Sequence, residues 1–111
     1  MLESLLEISR GKSAFGYESE AYLELGKLEE KLNHRPASID RLNAAVAEAK
    51  KVDRYNLISE ADIELSKALL EEKQYNKAGI AAREGLDAAR KIGDKILVPR
   101  SLAQLGIVRE W

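Results

Sequence analysis

The chain contains no cysteine, a single histidine and two prolines, and only 5% of its 111 residues are aromatic. Without cysteine there is no disulfide framework and no thiolate metal site, a usage that suits a reducing compartment. The lone histidine, His34, stands between Asn33 and Arg35 in a predicted turn and reads as a solvated turn residue, not a catalytic base. No run of about 18 apolar residues is present to span a membrane. The start, Met1-Leu2-Glu3, places an acid where a signal peptide carries basic residues. Eighteen basic against nineteen acidic residues give a net charge of −1, so the basic excess that neutralises nucleic-acid phosphates is missing. Gly11-Lys12-Ser13 has the tail of a phosphate loop but neither its earlier glycine nor a preceding strand. Acids such as Glu29 and Glu30, or Glu71 and Glu72, are adjacent on helices and point apart. Catalysis therefore lacks candidates, and no enzyme, cofactor or metal site is expected.

What the chain has in abundance is alanine, leucine, glutamate and lysine, the residues of helices. It also repeats itself. Ser19 to Lys27 reads SEAYLELGK, and forty residues on Ser59 to Lys67 reads SEADIELSK. A further forty residues on, Leu102-Ala103-Gln104-Leu105-Gly106 falls on Tyr22-Leu23-Glu24-Leu25-Gly26, so Gly26, Ser66 and Gly106 form one column of small residues. A fixed period between roughly 20 and 50 residues is the mark of stacked supersecondary units.

Apolar spacing predicts six helices. Leu2, Leu5, Leu6 and Ile8 mark a short one over residues 1–9, ended near Gly11. The second, over 17–33, is striped by Ala21, Leu25, Leu28 and Leu32, with Gly26 beside the stripe for close approach of a neighbour. The third, over 36–51, starts at Pro36 in its first turn and is alanine-rich. The fourth runs over 57–73 and the fifth over 75–92, with Gly93 as a left-handed stop. The sixth runs from about 96 to the end, with Pro99 marking either its first turn or a bend. Short turns force neighbouring helices to lie antiparallel.

This pattern resembles the tetratricopeptide repeat family, in the variant whose period is near 40 rather than 34. A large residue, a leucine and a small residue recur in the first helix as Tyr22, Leu25, Gly26, then Asp62, Leu65, Ser66, then Leu102, Leu105, Gly106. The second helix supplies Ser38, Leu42, Ala45, then Ala78, Ala82, Gly85. Asp62 and Ala82 depart from the bulky residues expected there. The resemblance implies an all-α, right-handed α–α superhelix of about six antiparallel helices in one domain, 1–111. Residues 1–16 would be a leftover second helix, 17–56 and 57–95 two repeats, and 96–111 the first helix of another.

The resemblance also implies a concave face that binds a peptide or protein, here carrying Glu20, Leu23, Lys27, Glu60, Ile63, Lys67, Arg100, Ala103 and Ile107. The alternative is that Leu23 and Ile63 are packing residues and the charges a solvated face. The family's carboxylate clamp is not expected, since Leu23, Lys27, Glu64, Arg100 and Gln104 occupy its positions and only Arg100 fits. An uncapped last helix would expose Leu102, Leu105, Val108 and Trp111 for self-association as a homodimer, or mark the chain as part of a longer array. The expected function is a non-catalytic interaction scaffold, cytoplasmic, binding a protein or peptide and neither nucleic acid nor membrane. The other reading is a regulatory or sensor segment of a larger transcriptional or signalling protein.

Overall fold

The computed structural model describes residues 17–109. Among them lie five helices and no strand: α1 (Tyr17–Lys31), α2 (Arg35–Lys51), α3 (Tyr55–Glu71), α4 (Tyr75–Ile92) and α5 (Leu97–Arg109). The helix expected over 1–9 and Trp111 lie outside the described residues. No helix among those described is long and apolar enough to cross a membrane.

The connectors explain the regular spacing. Asn33, Asp53 and Lys73 take left-handed backbone angles, with φ of 60°, 52° and 60°, at twenty-residue intervals. In each case the next N–H reaches back to a carbonyl five residues earlier: His34 to Glu29, Arg54 to Ala49, and Gln74 to Leu69. The left-handed residue itself bonds three back, Asn33 to Glu30, Asp53 to Lys50 and Lys73 to Leu70. This is a Schellman ending, and the residue that completes it is also the N-cap of the next helix. Helices α1 and α3 therefore stop at Lys31 and Glu71, two residues before the ends that the apolar pattern predicts, and α3 begins at Tyr55 instead of Leu57. Connectors this short fold each helix back on the one before it. The fourth ending uses Gly93 (φ 61°), and Asp94 Oδ1 then accepts from the N–H groups of Ile96 and Leu97 at 2.9 and 2.8 Å to start α5. Those two bonds hold the Asp94 carboxyl below its usual range. Pro36 and Pro99 both fall within first helical turns, where a missing N–H is harmless.

Helix α3 packs against α1, α2, α4 and α5. Ten of its seventeen residues are buried, from Leu57 to Leu69 on nearly every side. The largest apolar cluster joins Leu23, Leu42, Leu57, Ile58, Leu65 and Leu69 with alanines of α2, α3 and α4. A second gathers Ile63, Ala89 and Leu97, and a third Ala82, Leu86 and Leu105. In α1 the buried face is rotated from the expected stripe. Leu23 joins Ala21 and Leu25 inside, while Leu28 and Leu32 are 41% and 54% exposed, because α1 meets both α2 and α3.

The forty-residue register reappears as hydrogen bonding between paired helices. Ser38 Oγ of α2 donates to the Gly26 carbonyl of α1 at 2.8 Å. Forty residues on the donor is on the other helix: Ser66 Oγ of α3 donates to the Ala78 carbonyl of α4, also at 2.8 Å. Side-chain volume is exchanged between the same columns. Leu42 lies over Gly26, so close that a Cβ on Gly26 would stand 2.7 Å from its Cγ and Cδ2. In the second hairpin Ser66 stands where Gly26 does, and Ala82 where Leu42 does.

Gly106 shares Gly26's column, yet nothing lies within 4 Å of where its Cβ would be. The two glycines should therefore answer to alanine with opposite signs. Gly26→Ala gains about 1 kcal/mol of helix propensity and loses more to overpacking, for a net destabilisation of about 1–2 kcal/mol. Gly106→Ala should stabilise by about 0.5–1 kcal/mol. Urea denaturation of both variants beside the parent checks the pair.

Candidate functional site

Of the positions expected on a concave face, the two large apolar ones are inside the protein. Leu23 is 3% and Ile63 1% exposed, each held in an apolar cluster. They are packing residues and give a groove no floor. The charges around them pair with one another across neighbouring helices. Lys27 of α1 lies 3.6 Å from Glu60 of α3, and Arg100 of α5 lies 3.8 Å from Glu64 of α3. Glu64 also takes Lys67 at 3.7 Å, and Glu20 takes Arg54 at 3.3 Å. Gln104 turns inward to donate from Nε2 to Ser66 Oγ at 3.1 Å. Ala103 and Ile107 are exposed on α5.

The surface expected for self-association is smaller than the sequence suggests. Leu105 is buried against Ala82 and Leu86, and Val108 is half-buried against the same cluster. The cause is α4, whose alanines leave room for α5 to settle onto it. Leu102 remains exposed, at 45%. Leu105→Glu would therefore place a charge in the core. His34 Nδ1 lies 3.0 Å from Glu29 Oε2 on the surface. Among the described residues no three acidic, histidine or cysteine side chains are grouped to hold a metal ion.

The unusual chemistry lies on the other side of α3, in a groove of about 620 Å³ between α2 and α4. Ile39, Asn43 and Val46 form the α2 wall, Ile80 and Ala81 the α4 wall, and Leu65, Leu69 and Asp62 of α3 the floor. Asp62 is fully buried, and no N–H or hydroxyl donor among the described residues reaches either of its carboxylate oxygens. Its one polar contact among them is the Glu84 carboxyl, which it can bond only when one of the two is protonated. Its Cβ packs at the backbone of α4 beside Gly85, where an added Cβ would stand 3.1 Å from it and 3.3 Å from the Ser59 carbonyl. At the wall above, Lys50 of α2 forms an ion pair with Glu84 of α4. That pair also borders a second depression of about 300 Å³, which contains Tyr55 with Lys91 Nζ 4.9 Å from the centre of its ring.

Burial pushes the Asp62 carboxyl up to about 8, and the neighbouring Glu84 charge adds to the effect while Lys50 opposes it. Two carboxyl groups can hydrogen-bond to each other only when one carries a proton. The ion pair with Glu84 raises Lys50 above its ordinary value, with a smaller contribution from Asp62. At neutral pH the floor of the groove is thus a neutral acid beneath a closed ion pair. The sequence carries a trace of this site: aspartate at 62 stands in the column where Tyr22 and Leu102 are long. Lys50 and Glu84 carry no such mark, since at helical spacing they look like any solvated pair.

The raised Asp62 fixes the sign of a pH effect. The unfolded chain releases this proton near pH 4 and the folded chain near pH 8, so stability should fall as pH rises through that window. Asp62→Asn should remove that slope, matching the parent near pH 4.5 and exceeding it by about 4 kcal/mol at pH 8.5. Urea unfolding at the two values is the check, and parallel pH profiles would contradict it.

Comparison with protein-family models, with curated proteins and with solved structures finds no match to this chain.

Proposed function

We propose that this chain is a non-catalytic interaction module, a short superhelical stack of helical hairpins in the manner of the tetratricopeptide repeats, which seats a segment of a partner protein. The observation that carries the reading is the open groove between α2 and α4. It has apolar walls, a polar rim and at its floor a buried carboxyl that no N–H or hydroxyl donor reaches, features of a binding site more than of a finished core. Support for the stacked-hairpin part comes from the connectors at twenty-residue intervals and the inter-helix hydrogen bonds at forty. The partner surface in this reading is the α2–α4 side. On the opposite side Leu23 and Ile63 are packed away and Lys27, Glu60, Glu64 and Arg100 neutralise one another. Exposed Leu102 and Ile107 make α5 the end on which a further helix or a second copy would stack.

The test is selection of binders from a displayed library of twelve-residue peptides, with amide chemical-shift mapping of the selected peptides on the protein. Binders should shift residues along Ile39 to Val46 and Lys77 to Ala81. Failure to select any binder, or mapping confined to α1 and the outer face of α5, contradicts the reading.

A further inference from the structure

Asp62 is the least explained residue of the groove. A buried carboxyl that no N–H or hydroxyl donor reaches, and whose one polar contact is the Glu84 carboxyl through a shared proton, is unfavourable once it is charged, and native structures keep few such groups. Nothing in the packing requires an acid there. The equivalent positions forty residues away on either side hold Tyr22 and Leu102, and an apolar residue would close the floor against Leu65 and Leu69. Nor does Asp62 serve the fold through an ion pair, because Lys50 is already engaged by Glu84.

We infer that the groove recognises a basic side chain, arginine or lysine, carried on a partner polypeptide, with Asp62 as its anion. This rests on the interaction-module reading and names the chemistry of the partner. Charge supplies the first argument. Three carboxylates, Asp40, Asp62 and Glu84, face this groove against two ammonium groups, Lys50 and Lys77, so one added cation balances an ionised Asp62. Geometry supplies the second. Asp62 sits at the bottom of a cleft with apolar walls, which suits the long aliphatic stem of arginine or lysine and places the charged head at the floor. Glu84 stands next to it, so that two acceptors converge on the arriving head group. Lys50 is the movable part: its side chain is 54% exposed and can swing to solvent as the incoming cation takes its place beside Glu84. Burial keeps the empty site neutral by protonation, and the bound cation replaces that proton.

The test uses three libraries of twelve-residue peptides with random flanks and a fixed central arginine, glutamine or glutamate, selected against the intact chain. The arginine library should enrich binders and the glutamine and glutamate libraries should not. For the best synthetic peptide, replacing the basic residue by glutamine should weaken binding at least ~10-fold, and Asp62→Asn in the protein should do the same. The two changes together should weaken it little further. Glu84→Gln should cost a smaller factor, and thermal unfolding confirms that both protein variants are folded. Binders that carry no basic residue, or that are unmoved by Asp62→Asn, would overturn this inference and leave the module reading in place. If no library yields a binder, both fail.

Discussion

Helix α3 has neighbours on nearly every side, and the rest of the structure depends on how it is accommodated. A helix buried all round must be approached closely, so its contact positions are small: Ser59, Ala61, Ser66 and Ala68 are each at most 2% exposed. Ser66 is the clearest case. Its hydroxyl donates to the Ala78 carbonyl of α4 and accepts from Gln104 of α5, so one oxygen ties three helices with its donor and acceptor both used. Ser59 Oγ lies 3.3 Å from Ser101 Oγ, a second polar contact between α3 and α5. In a dry interior such bonds are worth most when no partner is left over, and each of these hydroxyls has one. The alanine-rich faces of α2 and α4 serve the same end, because a thin face lets leucines from α1, α3 and α5 meet over it.

The groove follows from the same arrangement. Helices α2 and α4 both lean on α3, and each is tied into its own hairpin by a serine. The strip of α3 between them is covered only by what those two helices extend across it. Elsewhere such a strip would be filled by a large side chain. Asp62 is short, so the cleft remains, and Lys50 and Glu84 bridge its wall. The opposite face has an opening of about 510 Å³ toward the end of α3, lined by Lys67, Leu70, Gln104 and Ile107, and beyond it α1, α3 and α5 are linked by ion pairs over a buried apolar layer. A polar floor in one cleft and a self-neutralised surface on the other side make the two faces chemically distinct.

Much of this fold was legible in the sequence, and the reasons are physical. The helices could be read because stripes at 3.6-residue spacing must be buried somewhere, and the pairing of Gly26 with a close neighbour because a mid-helix glycine needs a reason. Gly93 and Pro36 were legible because each fits few backbone conformations. Boundaries at Asn33 and Lys73 were not, since neither residue demands a left-handed angle in the way glycine signals one; the Schellman geometry emerges only with the next helix in place. Leu23 and Ile63 were open to two readings because sequence period places a residue on a helix face without saying how many neighbours that face has. The candidate site was barely legible. Asp62 stood out as an acid in a bulky column, but the proximity of Lys50 and Glu84 arises from packing between helices more than thirty residues apart in sequence.

Native-state hydrogen exchange tests the central role of α3 most directly. If α3 is the element on which both hairpins depend, amides from Ile63 to Leu69 should exchange only through global unfolding, with free energies equal to that from denaturant unfolding. Those of α1 and α5, each covered on fewer sides, should open at lower cost. If α3 opens together with α5 while α1 or α2 remains protected, α3 is not the element that unites the fold.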